Sequence, residues 1–239
     1  MKIAIITGAS RGLGKELLDL FEKGEWFVID FSRTGKNKNT VKIDLSDIVK
    51  TYSTIENTFS KFKINEIENI VLINNAAILL PIKNIKELDL IEISTSINTN
   101  IVSQISLIHL FMKYFKDIST EKYIINISSG AALKGFPSWG LYCTAKAGME
   151  NFINCINEEE YFSKNNFIGI NYDPYIMDTE MQLEIRNVDI NCFPIKNKFL
   201  EYKNENKLLH PKLVAEKIFS RIIKMDFTKT RYNVKEEIL

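Results

Sequence analysis

Tyr142 and Lys146 stand four residues apart, the spacing that places two side chains on one face of a helix. A free tyrosine, with a pKa of about 10, is a poor acid at neutral pH; a nearby ammonium stabilises its phenolate and lowers that value. A drop of about two to three units corresponds to roughly 3 to 4 kcal/mol, which a close cation in a partly dry pocket can supply. Ser129 lies thirteen residues before Tyr142 and follows an Ile-rich run, Tyr123 to Ser128. Ligands of open α/β sheets sit beyond the carboxyl ends of strands, so this hydroxyl is placed to hold a carbonyl oxygen. The expected chemistry is proton donation by Tyr142 to an oxygen held by Ser129. Tyr-x-x-x-Lys alone is a weak signal, because a helix surface produces the same spacing.

A second group opens the chain, where Thr7-Gly8-Ala9-Ser10-Arg11-Gly12-Leu13-Gly14 follows the apolar run Ile3 to Thr7. Glycines at 8, 12 and 14 let the backbone turn sharply and approach a ligand, and the free N–H groups of the following helix favour a phosphate. The position between a strand and a helix makes this a diphosphate cradle rather than a chance glycine cluster. A dinucleotide also needs a reader for the adenosine ribose at the end of the second strand. Here the chain offers Asp30-Phe31-Ser32-Arg33. Arg33, nineteen residues after Gly14, forms with Arg11 a two-armed clamp for a 2′-phosphate and favours NADP(H). Asp30 is the rival, since an acid at the ribose prefers NAD.

These groups need a scaffold, and the hydrophobic pattern supplies one. Short Ile- and Val-rich runs at Ile3 to Thr7, Trp26 to Phe31, Val41 to Asp44, Ile70 to Asn75, Tyr123 to Ser128 and Phe167 to Tyr172 read as strands. Helical spacing lies between them, as in Leu13, Leu17, Leu20 and Phe21, or Met149, Phe152, Ile153 and Ile156. Strand and helix in alternation predict an α/β fold, a doubly wound parallel sheet of Rossmann type. With 239 residues, no linker and no repeat, one domain spanning 1–239 is expected. From Tyr175 to about Leu209 the pattern breaks, and this segment is expected to form a lid over the cleft. Apolar residues at 45% suit a buried core, and 31 basic against 30 acidic residues point to no nucleic acid. No run is long enough for a membrane helix, and three cysteines without C-x-x-C spacing suit a reducing, cytoplasmic setting.

Several motifs together resemble the short-chain dehydrogenase/reductase family over nearly the whole chain. They are Thr7 to Gly14, Asp44, Asn74-Asn75-Ala76-Ala77, Asn98, Asn126-Ile127-Ser128-Ser129, Tyr142, Lys146, and Pro174 through Thr179. The resemblance implies a catalytic set of Asn98, Ser129, Tyr142 and Lys146, with Asn98 in a water-mediated proton relay. It implies cofactor contacts at Gly8, Ser10, Arg11, Gly12, Leu13, Gly14, Arg33, Asp44, Asn75, Ala76, Met177 and Thr179. Lys146 would hold the nicotinamide ribose as well as tune Tyr142. The stretch from Asn126 to Lys146, with its Trp-x-x-Tyr-Cys portion, is similar to the sepiapterin and benzil reductase branch. That likeness implies NADPH-dependent reduction of a small-molecule carbonyl and a homodimer or homotetramer. The alternatives are a pterin side-chain reductase or a non-catalytic NADP sensor. A C-terminal acid expected to anchor a pterin has no clear counterpart, although Glu236 is near, so a diketone or aromatic carbonyl is favoured. Tyr175 and Ala77 depart from the family's usual glycines. Phe136, Trp139, Tyr175 and Met181 are expected to line the substrate pocket. His109, His210, Cys143 and the Glu158 to Glu160 run read as ordinary packing or solvated surface, and no metal is implied.

Overall fold

The computed structural model describes residues 1–238. Seven parallel strands form one sheet, in the order β3-β2-β1-β4-β5-β6-β7. They are β1 (Lys2–Thr7), β2 (Phe27–Ser32), β3 (Thr40–Lys42), β4 (Asn69–Asn74), β5 (Lys122–Ile127), β6 (Phe167–Asp173) and β7 (Arg231–Asn233). The strand order reverses between β1 and β4, which opens a crevice at the carboxyl edge of the sheet.

Alternate residues of a strand face opposite sides, and the two cores divide accordingly. Ile3 and Ile5 of β1 join Ile70, Leu72 and Ile124 on one side. There they pack on α2 (Ile48–Phe59), α4 (Ser103–Phe115) and α5 (Gly140–Ser163), through residues such as Phe59, Phe111 and Ile153. Ala4 and Ile6 join Val71, Ile73 and Ile125 on the other side. That face is covered by α1 (Gly12–Lys23) and α8 (Pro211–Lys224), through Leu17, Phe21, Val214 and Ile218. Strands buried on both faces explain the near-continuous apolar runs.

α8 starts where Pro211 allows it, with His210 Nδ1 accepting from the Lys212 N–H at 3.2 Å. The strand β7 is not legible as an apolar run; it exists by pairing with the end of β6, while Tyr232 stacks on Tyr172. After β7 comes the short helix α9 (Val234–Ile238). The segment 175–209 folds into α6 (Glu180–Asn187) and α7 (Lys196–Asn204). Phe193 and Phe199 are buried there in a third apolar cluster with Leu79, Trp139 and Tyr142. No helix among the described residues is long and apolar enough to cross a membrane.

Before α4 the helix α3 (Leu90–Ile97) runs into one wide turn, Asn98–Val102, where the Ser103 N–H reaches back five residues to the Asn98 carbonyl. The Thr99 carbonyl thereby loses its usual partner and is taken by the Ser103 hydroxyl and the Gln104 amide, at 2.8 and 3.1 Å.

Candidate active site

One cleft of about 990 Å³ runs along the carboxyl edge of the sheet. Arg33 and Asp44 line one end, Gly8, Ser10, Gly12 and Leu13 the middle, and Ser129, Tyr142 and Lys146 the far half. Beyond these lie Phe136, Trp139, Tyr175 and Met181, so the four expected pocket residues share one wall system.

The middle is built for close approach of a ligand to backbone. Gly8 has φ of 70°, and a Cβ on Gly14 would fall 2.4 Å from the Gly8 carbonyl oxygen. Helix α1 begins with no side-chain cap and no acid in its first turn, so its N–H groups stay open to an anion. The Thr7 hydroxyl accepts the N–H groups of both Asn75 and Ala76 at 2.9 Å, and Asn75 Nδ2 bonds the Thr7 carbonyl at 2.8 Å. Asn75 therefore braces the loop as well as lining the cleft. Met177 and Thr179 cover this stretch from the other side. Open N–H groups, a glycine floor and a cation at the end fit a dinucleotide.

The two candidate ribose readers separate clearly. Asp30 is 1% exposed and accepts from the Ala9 N–H at 3.0 Å, the Ser32 hydroxyl at 2.6 Å and the Thr40 hydroxyl at 3.0 Å. It is an internal strut and does not reach the cleft. Arg33 is exposed on the cleft rim and makes no ion pair among the described residues. The clamp expected of Arg11 and Arg33 is incomplete, because Arg11 is paired to Glu180 and lies 4.0 Å from Glu184 of α6. The backbone N–H and hydroxyl of Ser46 hold the Asp44 carboxyl below its ordinary range, with Arg33 adding to the effect.

In the far half of the cleft Tyr142 and Lys146 rise from the first turns of α5, and Ser129 follows β5. Burial pushes the Tyr142 phenol up to about 12, against the opposing hydrogen bond of Ser129. Burial also brings the Lys146 ammonium down to about 8, partly offset by Asp173 and Glu150. The lysine Nζ donates to the Ile127 carbonyl at 2.6 Å and sits 5.6 Å from the centre of the Tyr142 ring. The phenol is thus raised rather than lowered, contrary to the expectation from spacing: burial dominates, and the lysine bonds the Ile127 carbonyl. At neutral pH this phenol holds its proton more tightly than a free tyrosine, so donation requires the phenolate to be stabilised as the proton leaves.

Asn98 is not brought into the cleft; its amide reaches the Ser46 carbonyl at 3.4 Å. Asn100, two residues on, grips the backbone of Ile78 instead. Its Oδ1 accepts the Ile78 N–H at 2.9 Å and its Nδ2 donates to the Ile78 carbonyl at 2.8 Å. This ties α3 and its wide turn to the loop after β4.

Residues 2–189 match the model of the short chain dehydrogenase family. The chain belongs to that family. Among its relatives, a benzil reductase forming (S)-benzoin from Bacillus cereus is 32% identical over 91% of this chain and 92% of the relative. A benzil reductase from Bacillus subtilis is 32% identical over 99% of both. A solved short chain dehydrogenase/reductase from Saccharomyces cerevisiae superposes with a TM-score of 0.78 at 23% identity, covering 98% of this chain and 95% of that one.

In this short-chain dehydrogenase, Tyr175 keeps the left-handed backbone that a glycine would favour, with φ of 58°. Asp173 secures it, its Oδ1 accepting the Tyr175 N–H at 2.9 Å while Oδ2 takes Arg231 and Asn233 at 3.2 and 3.1 Å. Ala77 needs no such backbone. Sequence alone does not single out Asp173 or Asn100. Asp173 adjoins the quoted Pro174, whereas Asn100 carries no signal without the wide turn at Asn98–Val102. Phe136 and Trp139 lie 5.3 Å apart, and Trp139 stacks on Phe193 at 5.2 Å and 8°.

Proposed function

We propose that this protein is an NADPH-dependent carbonyl reductase acting on ketones and diketones of benzil-like or other aromatic type. The observation that carries the reading is the joining, in one cleft, of a buried phenol, a serine and a lysine with a glycine-lined, arginine-ended channel. Membership of an oxidoreductase family and the benzil reductase relatives support it.

Bound NADPH would supply the hydride. Arg33 would pair with the 2′-phosphate, and the open N–H groups of α1 would take the diphosphate. Ser129 would hold the carbonyl oxygen and Tyr142 would give it a proton. Lys146 would keep positive charge under the phenol as its proton leaves, and would reach the nicotinamide ribose. Asn100 stands in our proposal where Asn98 was expected, fixing the loop from Ala76 to Ile78 beside the reacting end. The apolar wall of Phe136, Trp139 and Met181 would take an aromatic substituent. A pterin is disfavoured, because Glu236 does not line the cleft. The segment 175–209 would close over cofactor and substrate to exclude water. We place the protein in the cytoplasm as a homodimer or homotetramer.

The test is a panel of ketones, diketones and sepiapterin, followed at the NADPH absorbance. Turnover of benzil or a related aromatic carbonyl is expected. Tight NADPH binding with no turnover across the panel would instead make the protein a sensor.

A further inference from the structure

Gln182 lies in the first turn of α6, lines the cleft and is 4% exposed. Its Oε1 accepts a hydrogen bond from Arg186 Nη1, one turn along the helix, at 3.1 Å. A guanidinium only donates, so this bond decides which end of the amide faces Arg186. Arg186 is itself held, with Nη2 3.7 Å from Asp178 Oδ1, and Lys203 bonds the other oxygen of that carboxylate at 2.6 Å. With Oε1 committed, the amide nitrogen turns away from Arg186. It makes no hydrogen bond to any described residue, and the residue that carries it lines the cleft.

The same end of the cleft holds another donor in want of an acceptor. Trp139 is 7% exposed, and its indole Nε1 has no partner among the described residues. Leaving a buried donor such as this indole N–H unpaired is costly, which makes it a candidate to meet an acceptor on a ligand. The reacting oxygen is already served by Ser129 and Tyr142. A donor on α6 therefore addresses a different atom.

We propose that Gln182 determines specificity, its amide N–H reading a second, non-reacting carbonyl oxygen on the substrate. The preferred substrates are then dicarbonyls, and a monoketone of equal bulk leaves the amide dry and unpaired. The Asp178–Arg186 pair acts as a positioning device that keeps the amide from turning over. This inference rests on the carbonyl reductase reading and narrows it to a substrate class.

Benzil and deoxybenzoin share one skeleton, with a methylene replacing one carbonyl in the second. The measurement is kcat/KM for each with NADPH in the wild type, Gln182→Leu and Gln182→Glu. The glutamate keeps an acceptor for Arg186 while removing the donor, so it separates a lost reader from a disturbed wall. The benzil to deoxybenzoin ratio is expected to fall about five- to tenfold in both variants, mainly through KM for benzil. A ratio that stays within about twofold of wild type in both overturns the assignment of Gln182. Wild-type enzyme that turns over neither ketone overturns the reductase reading, and this inference with it.

Discussion

Replacing Lys146 with Met is expected to stabilise the fold while abolishing activity. The buried ammonium titrates at about 8 instead of 10.5. That difference corresponds to roughly 3 kcal/mol of cost for holding the charge in the folded protein. Methionine is similar in length and removes the charge, but it leaves the Ile127 carbonyl without its 2.6 Å bond, a loss of about 1 to 2 kcal/mol. The net gain is about 1 to 2 kcal/mol, and the melting temperature rises by about 4 °C. The pH dependence follows from the direction of the change. Between about pH 8 and 10.5 the unfolded chain keeps a proton on Lys146 that the folded chain has released, so wild-type stability gains with rising pH. The cost is fully present below 8 and gone above 10.5, so the advantage of the variant shrinks across that window. Thermal melts and urea titrations at pH 7 and pH 10, on both proteins, measure it. A variant that melts below wild type at pH 7, or a gap that does not narrow at pH 10, refutes the reasoning.

Tyr142→Phe should lose nearly all turnover while NADPH affinity, followed by titration, stays within about twofold; a variant keeping a third of the parent rate would remove Tyr142 as the proton donor. Wild-type carbonyl reduction should be flat near neutral pH and decline above about 8 as Lys146 loses its charge, well before the phenol titrates at about 12. A decline first seen near pH 11 would detach the rate from Lys146. NADPH should bind at least about tenfold tighter than NADH, and Arg33→Ala should bring the two within about threefold, because one charge-assisted contact carries the difference. Hydrogen exchange over 175–209 should slow when NADPH and a slow substrate are added; protection already high and unchanged by ligand would make the segment a permanent core rather than a lid.

The sheet was legible because its strands are buried on both faces and its helices on one, so the runs Ile3 to Thr7 and Ile70 to Asn75 give period and length together. Boundaries shifted by about one residue, as in β4, which the structure ends at Asn74. That Tyr142, Lys146 and Ser129 would line one cleft was legible for a related reason: the first two share a helix, and Ser129 lies at a strand end. Asn100 was not legible. The two asparagines differ by only two positions, and the wide turn at Asn98–Val102 rotates the helix out of the phase that ordinary spacing would give. Nor was the state of Tyr142, since spacing shows that a cation is near but not how dry the site is. Phe193 falls in the segment expected to be a lid, yet it is buried and stacks against Trp139, 54 residues earlier, a contact no local pattern announces. Asp30 was a fair rival to Arg33 until its three internal hydrogen bonds were seen.

In the proposed reaction hydride passes directly from NADPH to a carbonyl carbon and Tyr142 delivers the proton. The most direct measurement uses NADPH carrying deuterium at both C4 positions, benzil as substrate and mass spectrometry of the product. Benzoin with one deuterium on the carbinol carbon is expected, formed by the wild type and almost absent with Tyr142→Phe. Benzoin without deuterium, NADPH consumed without benzoin, or equal yields from the two proteins would contradict it.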